Sequence, residues 1–284
     1  MARVQARMQP ERWSTDPRLT PKGGLTGGEA MRIAAGSAAL RKIPDGSAEQ
    51  VNQALFGEPV RVFERETDKD GSEWAYVQLG LDRYVGWMRM ASLAPAGAAP
   101  THRVRVLRSF IYERADMKSR PSRAVSMNAR MALGETLGNF VEVKGTGWIF
   151  ARHIAPLDDP EMDFVGVAQK FVGSPYLWGG RESAGIDCSG LVQVSLQATG
   201  IYPLRDSDMQ EQTLGIDFKP APDFSDMERG DLVFWRGHVG IMCSPTMLLH
   251  SSARDMHCEI EPLGQAVDRI RPISGEVRSV RRFG

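Results

Sequence analysis

No stretch of this 284-residue chain comes near the ~18 consecutive apolar residues that a membrane-spanning helix needs. Nor is secretion through a cleaved leader expected: Arg3 and Arg7 are present, but Pro10, Glu11 and Arg12 interrupt before an apolar stretch of signal length can form. Cysteine is scarce. The three residues, Cys188, Cys243 and Cys258, are an odd number without a C-x-x-C pair, which argues against a disulfide framework and against a zinc site. Neither charge is in excess, with 35 Lys and Arg against 35 Asp and Glu, so neither nucleic acid nor a membrane surface is expected as a partner, and the arginine-rich ends read as solvated tails. These absences predict a cytoplasmic protein. What is present is an ordinary globular composition, 42% hydrophobic and 25% charged, in a chain long enough for two or three compact units.

Residues 1–29 carry Pro10, Pro17, Pro21 and two glycine pairs without an apolar period, and read as an irregular arm. Over residues 30–95, short runs such as "EPVRVFE" and "WAYVQL" stand between "PDG" and "DKDG" turn signals, and Val60, Val62 and Glu64 alternate with Arg61 and Phe63. That pattern predicts a small antiparallel barrel. "APAGAAPTH" is a linker, and residues 103–157 repeat the theme: "YVGWMRMASLAP" closes the first unit and "GTGWIFARHIAP" the second. Trp87 and Trp148, matched in the two endings, read as core fillers. From about residue 160 to 284 the character changes. "DFVGVAQKFVG" and "GIDCSGLVQVSLQATG" have helical spacing, and "GDLVFW", "HVGIMC" and "TMLLHSS" read as strands, so the last unit is expected to be α+β with helices first and a sheet after.

Cys188 opens the second of those helical runs, with Leu191, Val192, Ser195 and Leu196 following at i+3, i+4, i+7 and i+8. A thiol in a first helical turn meets unpaired N–H groups and the positive end of the helix dipole. Both favour the thiolate, so a pKa below the usual ~8.5 is expected. Asp187 and Ser189 on either side suit helix capping. His238 alternates away from Val239 and Ile241, and His250 lies on the next strand, so antiparallel pairing can bring the imidazoles together. Cys, His and an orienting polar group form an acyl-transfer triad. A small buried Cys188 and structural histidines are the bland alternative. The twelve-residue separation of the histidines fits no common zinc pattern.

In their order, "PYLWGG", "DCSGLV", "GDLVFW", "GHVGIM" and "LLH" resemble the NlpC-type, papain-like cysteine peptidases that cut bacterial cell-wall peptides, over about residues 160–284. The tandem barrels upstream look like the bacterial SH3-like domains that often precede this catalytic domain. Within the family, the γ-D-glutamyl-L-diamino-acid endopeptidases are the most similar. The resemblance implies Cys188 as nucleophile, His238 as base, His250 as orienting third member and Tyr176 near the oxyanion. It implies substrate contacts by Asp187, Ser189, Asp206 and Ser207, and by Glu58 and Tyr84 of the first barrel, which would meet the free amine. The implied substrate is a murein peptide, L-Ala-γ-D-Glu-diamino acid, with a free N-terminal L-Ala held by a carboxylate such as Glu58 or Asp187. Such selectivity would suit the recycling of released wall peptides. No cofactor or metal is needed, since nucleophile, acid/base and charge stabilisation all come from side chains. An amidase or acyltransferase with the same triad, or a non-catalytic wall-binding protein, would carry many of the same features.

Overall fold

Short β-branched runs cut by Gly, Pro and Asp become strands throughout the first half of the chain. The computed structural model describes residues 13–283, and the chain divides between Pro160 and Glu161 into two compact units. In the first unit β1 (Glu29–Ile33), β2 (Ser37–Arg41), β3 (Gln50–Leu55), β4 (Pro59–Thr67), β5 (Glu73–Leu79), β6 (Val85–Arg89) and β7 (Leu93–Pro95) form one antiparallel sheet, ordered β3-β2-β6-β5-β4-β1-β7. The expected alternation along β4 holds for Val60 and Val62 and then slips. A bulge at Phe63 shifts the register before Glu64, and Phe63 packs against the Trp74, Tyr76, Val85 and Trp87 cluster.

The second half of this unit holds β8 (His102–Val104), β9 (Arg108–Tyr112), β10 (Pro121–Ser126), β11 (Arg130–Met131), β12 (Leu133–Leu137), β13 (Phe140–Val143), β14 (Gly147–Phe150) and β15 (Ile154–Pro156). They are arranged as β10-β9-β14-β13-β12 and β11-β8-β15. The two similar endings fold alike: β6, a 3-10 turn at Met90–Ser92 and β7 are matched by β14, a 3-10 turn at Ala151–His153 and β15. Trp87 is buried, whereas Trp148 is only half-buried. Phe56 reaches from the first sheet into the core of Val104, Ile111, Val125 and Ile149.

Of the expected irregular arm, residues 1–12 lie outside the described residues. The remainder is irregular yet anchored. Leu19 is fully buried, its carbonyl accepts from Gln78 Nε2 (2.7 Å), and the Arg18 carbonyl accepts from the Val85 N–H (2.8 Å).

The second unit opens with α1 (Phe164–Gln169) and the small hairpin of β16 (Arg181–Glu182) and β17 (Gly185–Ile186), followed by α2 (Cys188–Ala198) and α3 (Ser207–Thr213). Then come β18 (Ile216–Phe218), β19 (Leu232–Trp235), β20 (His238–Met242), β21 (Met247–Ser252), β22 (His257–Pro262), α4 (Leu263–Ser274) and β23 (Ser279–Arg282). The sheet order is β18-β23-β19-β20-β21-β22. The unit is α+β, but helices do not all precede the sheet. α4 lies between the last two strands, its Leu263, Ala266, Val267 and Ile270 packed on Val233, Trp235, Met242 and Leu248. Those four helical residues repeat at i, i+3, i+4 and i+7, a legible amphipathic stripe.

Candidate active site

The first turn of α2 is built by close backbone approach. A Cβ on Gly190 would lie 2.3 Å from the Gly180 carbonyl oxygen, and one on Gly180 would lie 2.3 Å from that of Gly185. Glycine at both positions lets the "PYLWGG" loop lie against the helix start. Asp187 caps the helix, its Oδ1 accepting the Gly190 N–H (2.7 Å), and its Oδ2 accepts the Gly179 N–H (2.8 Å). Arg205 completes the mooring with a buried ion pair to Asp187 (2.6 Å) and a hydrogen bond to Ser189 Oγ (2.7 Å). Gln210 donates through Nε2 to the Ser189 and Leu204 carbonyls, both at 3.0 Å. All eleven residues of α2 are buried, so Cys188 sits at the mouth of a helix enclosed on every side.

The carboxylate of Asp187 and the hydroxyl of Ser189, both expected to contact substrate, take part in this helix mooring.

On the sheet, the two-residue turn Arg236–Gly237, with Gly237 at φ +76°, starts β20 at His238, opposite Trp235. His238 Nε2 lies 2.8 Å from His250 Nδ1, and the two rings meet edge-on with centroids 5.1 Å apart. His250 Nε2 in turn lies 2.8 Å from Glu261 Oε1, and Arg269 of α4 bonds the same carboxylate. The imidazole relay therefore extends one residue further than the sequence reading carried it.

Hydrogen-bond chemistry fixes the protons in this row. A carboxylate only accepts, so His250 carries its proton on Nε2 and presents a lone pair at Nδ1. His238 then donates from Nε2, and its Nδ1 is left as the basic nitrogen. Burial holds both rings neutral: it depresses His238 to about 3, aided by His250 and Arg269, and His250 to about 4, aided by Arg269.

The thiol departs from the expected depression. Burial, then the Asp187 charge, push Cys188 up to about 12, against the opposing pull of the Val239 N–H, Arg205 and the Ser189 N–H. The helix dipole favours the anion, but loss of water costs it more. The influence of the Val239 N–H puts the sulfur beside the strand residue next to His238. Among the described residues no hydrogen bond joins Cys188 Sγ to His238, and apo sites often leave that contact long. The resting pair is a neutral thiol beside a neutral imidazole. Tyr176 completes the surroundings: burial raises its phenol, as do the Cys188 and Asp187 charges.

A cleft next to this row is lined by Tyr176, Trp178, His238, His250, Arg254 and Arg269, with Trp178 half-exposed at its wall. Asp206 and Ser207 stand half-buried at the start of α3. Glu58 and Tyr84 belong to the first unit, where both are buried and Glu58 accepts the Leu55 N–H (3.2 Å). Sequence reading missed Arg205, Gln210, Glu261 and Arg269. The alternation of "HCEIEP", which sets Glu259 and Glu261 on one face of β22, is the signal that could have found Glu261.

The ligand atoms of His250, Glu259 and Glu261 lie within 4.8 Å of one another, a grouping of metal-binding type. Arg269 places a fixed positive charge against this grouping, which opposes a cation there. Among the described residues no helix is long and apolar enough to cross a membrane.

Residues 173–269 match the NlpC/P60 family, and residues 40–93 match the bacterial dipeptidyl-peptidase SH3 domain. Dipeptidyl-peptidase 6 of Lysinibacillus sphaericus is 27% identical over 232 residues, 74% of this chain and 82% of that protein. Gamma-D-glutamyl-L-lysine dipeptidyl-peptidase of Bacillus subtilis is 27% identical over 236 residues, 76% of each chain. A crystal structure of an NlpC/P60 family protein from Bacillus cereus aligns over 90% of this chain and 99% of its own, with 21% identity and a TM-score of 0.73. That likeness gives the fold: a papain-like domain behind SH3-like barrels.

Proposed function

We propose, for a chain that carries an NlpC/P60 cysteine peptidase domain behind a bacterial dipeptidyl-peptidase SH3 domain, that it hydrolyses the γ-D-glutamyl bond to a diamino acid in peptides released from murein. The observation that carries this reading is the row His238, His250, Glu261 ending on β20 beside the sulfur of Cys188. The name of the Bacillus subtilis relative, a γ-D-glutamyl-L-lysine dipeptidyl-peptidase, supports the choice of bond.

In this mechanism His238 Nδ1 takes the proton of the Cys188 thiol as the sulfur attacks the γ-carbonyl carbon. Proton loss is concerted with attack, because the resting thiol is neutral. Backbone N–H groups at the helix start, with Tyr176, receive the developing oxyanion. The tetrahedral intermediate collapses by breaking the C–N bond. The imidazolium gives its proton to the departing amine and a thioester remains. Water, deprotonated by the same nitrogen, then attacks the thioester; the C–S bond breaks, the imidazolium returns its proton to the sulfur, and the γ-carboxylic acid leaves and ionises in solvent. Asp206 and Ser207 are assigned to the bound D-glutamyl residue. Recognition of the α-ammonium of a free L-Ala calls for a carboxylate beside it, a charge pair that a capped peptide cannot form. Selection for an uncapped L-Ala would direct the enzyme to released fragments, as in wall-peptide recycling.

Turnover of L-Ala-γ-D-Glu-diaminopimelate and of its N-acetylated form tests this reading. Cys188→Ala should lower kcat by at least about 10³-fold, and wild-type protein should prefer the uncapped peptide. A Cys188→Ala protein as active as wild type would remove the sulfur from the reaction. Equal cleavage of both peptides would remove the selectivity.

A further inference from the structure

We propose that Glu261 is a positioning residue for the Cys/His site: it selects the His250 tautomer and, through it, the nitrogen of His238 that faces the thiol. This inference rests on the reading above that His238 is the base. Three observations carry it. Glu261 Oε1 is 2.8 Å from His250 Nε2, and His250 Nδ1 is 2.8 Å from His238 Nε2. The carboxylate itself is held from the opposite side by Arg269 of α4.

Each ring has two nitrogens and, when neutral, one proton, so the row has two self-consistent arrangements. In one, both protons point toward Glu261, from His250 Nε2 and His238 Nε2, and His238 Nδ1 is the free base. In the other, both point away, and His238 presents an N–H that cannot accept the thiol proton. Only an acceptor at the end of the row separates them, and a carboxylate is an acceptor without a donor. His250 is buried, so water is a poor substitute for that acceptor. Glu259 does not serve: it stands directly opposite His250 in the strand register, yet its carboxylate stops 3.8 Å from Nε2, while Glu261, offset diagonally along β22, makes the contact. As His238 gains the thiol proton, the negative charge two rings away also stabilises the imidazolium through the intervening hydrogen bonds. No bond to Glu261 forms or breaks, and it need not take up a proton.

The test uses the full chain labelled with ¹⁵N-histidine, His250 signals being assigned with His250→Asn. In wild-type protein, ¹⁵N NMR should place the His250 proton on Nε2. Glu261→Leu, which keeps bulk and removes the acceptor, should mix the tautomers and lower kcat for L-Ala-γ-D-Glu-diaminopimelate by about 10–100-fold with little change in KM. Glu261→Gln, whose amide oxygen can still accept, should restore most of the rate, and Glu259→Gln should leave it unchanged. The proposal falls if wild-type His250 holds its proton on Nδ1, a result that needs no variant to fold. It also falls if Glu261→Leu keeps both the Nε2 tautomer and the wild-type kcat, or if Glu261→Gln, folded as judged by circular dichroism, is as slow as Glu261→Leu. A Cys188→Ala protein that still turns over would overturn the peptidase reading separately, since the tautomer of the row is measured without substrate.

Discussion

A sulfur can be made nucleophilic in two ways, by resting as a thiolate or by losing its proton only as it attacks. In the function proposed above, Cys188 belongs to the second kind. Its enclosure raises the thiol, and burial with the nearby His250 and Arg269 lowers His238, so both directions favour the neutral pair. Alkylation reads this directly. The rate of Cys188 carboxamidomethylation by iodoacetamide should climb with pH up to at least pH 9 without a plateau, and should fall when His238 is replaced by Ala. A plateau already reached between pH 5 and 7 would instead reveal a preformed thiolate. Cys188 and His238 could be singled out in the sequence as candidates because "DCSGLV" and "GHVGIM" are local patterns. The ionisation state was not, because burial is a property of the packed domain: the helix dipole can be read from a cap and a spacing, but the loss of water around α2 cannot. Asp187 shows the same limit. Its capping role was readable from position, while its pairing with Arg205, eighteen residues on, depends on how the loop after α2 folds back.

At the scale of elements, the site depends on how closely a loop can approach a helix. Gly190 lies in the first turn of α2, where alanine would ordinarily add about 1 kcal/mol of helix propensity. The close approach reverses that sign. A methyl group there would stand 2.3 Å from the Gly180 carbonyl and 2.9 Å from Asp187 Oδ1, and backbone cannot swing aside as a long side chain can. Gly190→Ala should therefore destabilise the unit by about 1–3 kcal/mol through overpacking, seen as a lower melting temperature, and slow turnover by shifting the Cys188 N–H. A variant as stable and active as wild type would show that the loop gives way freely. The strand phase that displays His238 was legible from alternation, since β19 and β20 are joined by a two-residue turn that fixes register. The bulge at Phe63 was not, because it answers to the aromatic cluster it fills rather than to its neighbours in sequence. α4 carries a readable stripe. Its importance comes from Arg269, whose partner lies on another strand.

Taken as a whole, the chain holds two compact units with separate cores, and they should answer differently to acid. In the unit from residue 161 onward, buried His250 titrates at about 4 when folded against about 6.5 when unfolded, and His238 is depressed further, to about 3. Between those values the unfolded chain binds protons that the folded one refuses. The stability contributed by neutral histidine is therefore complete above pH 6.5 and is lost as pH falls toward 4, at up to about 1.4 kcal/mol per pH unit for the buried His250. Glu259, whose carboxyl is raised by burial and by Asp255 and Glu261, works in the opposite direction and offsets part of this loss. On the alkaline side Cys188 and Cys258, both raised to about 12, contribute stability that is present below about pH 9 and declines above it. Calorimetry of the full chain should then resolve two transitions, of which one moves steeply to lower temperature between pH 6.5 and 4 and flattens in His250→Asn. The other transition, from the barrel unit, should move less over the same interval. If both transitions shift together, or if His250→Asn leaves the acid slope unchanged, the histidine row is not held neutral by its burial, and the concerted route for the thiol proton loses its physical basis.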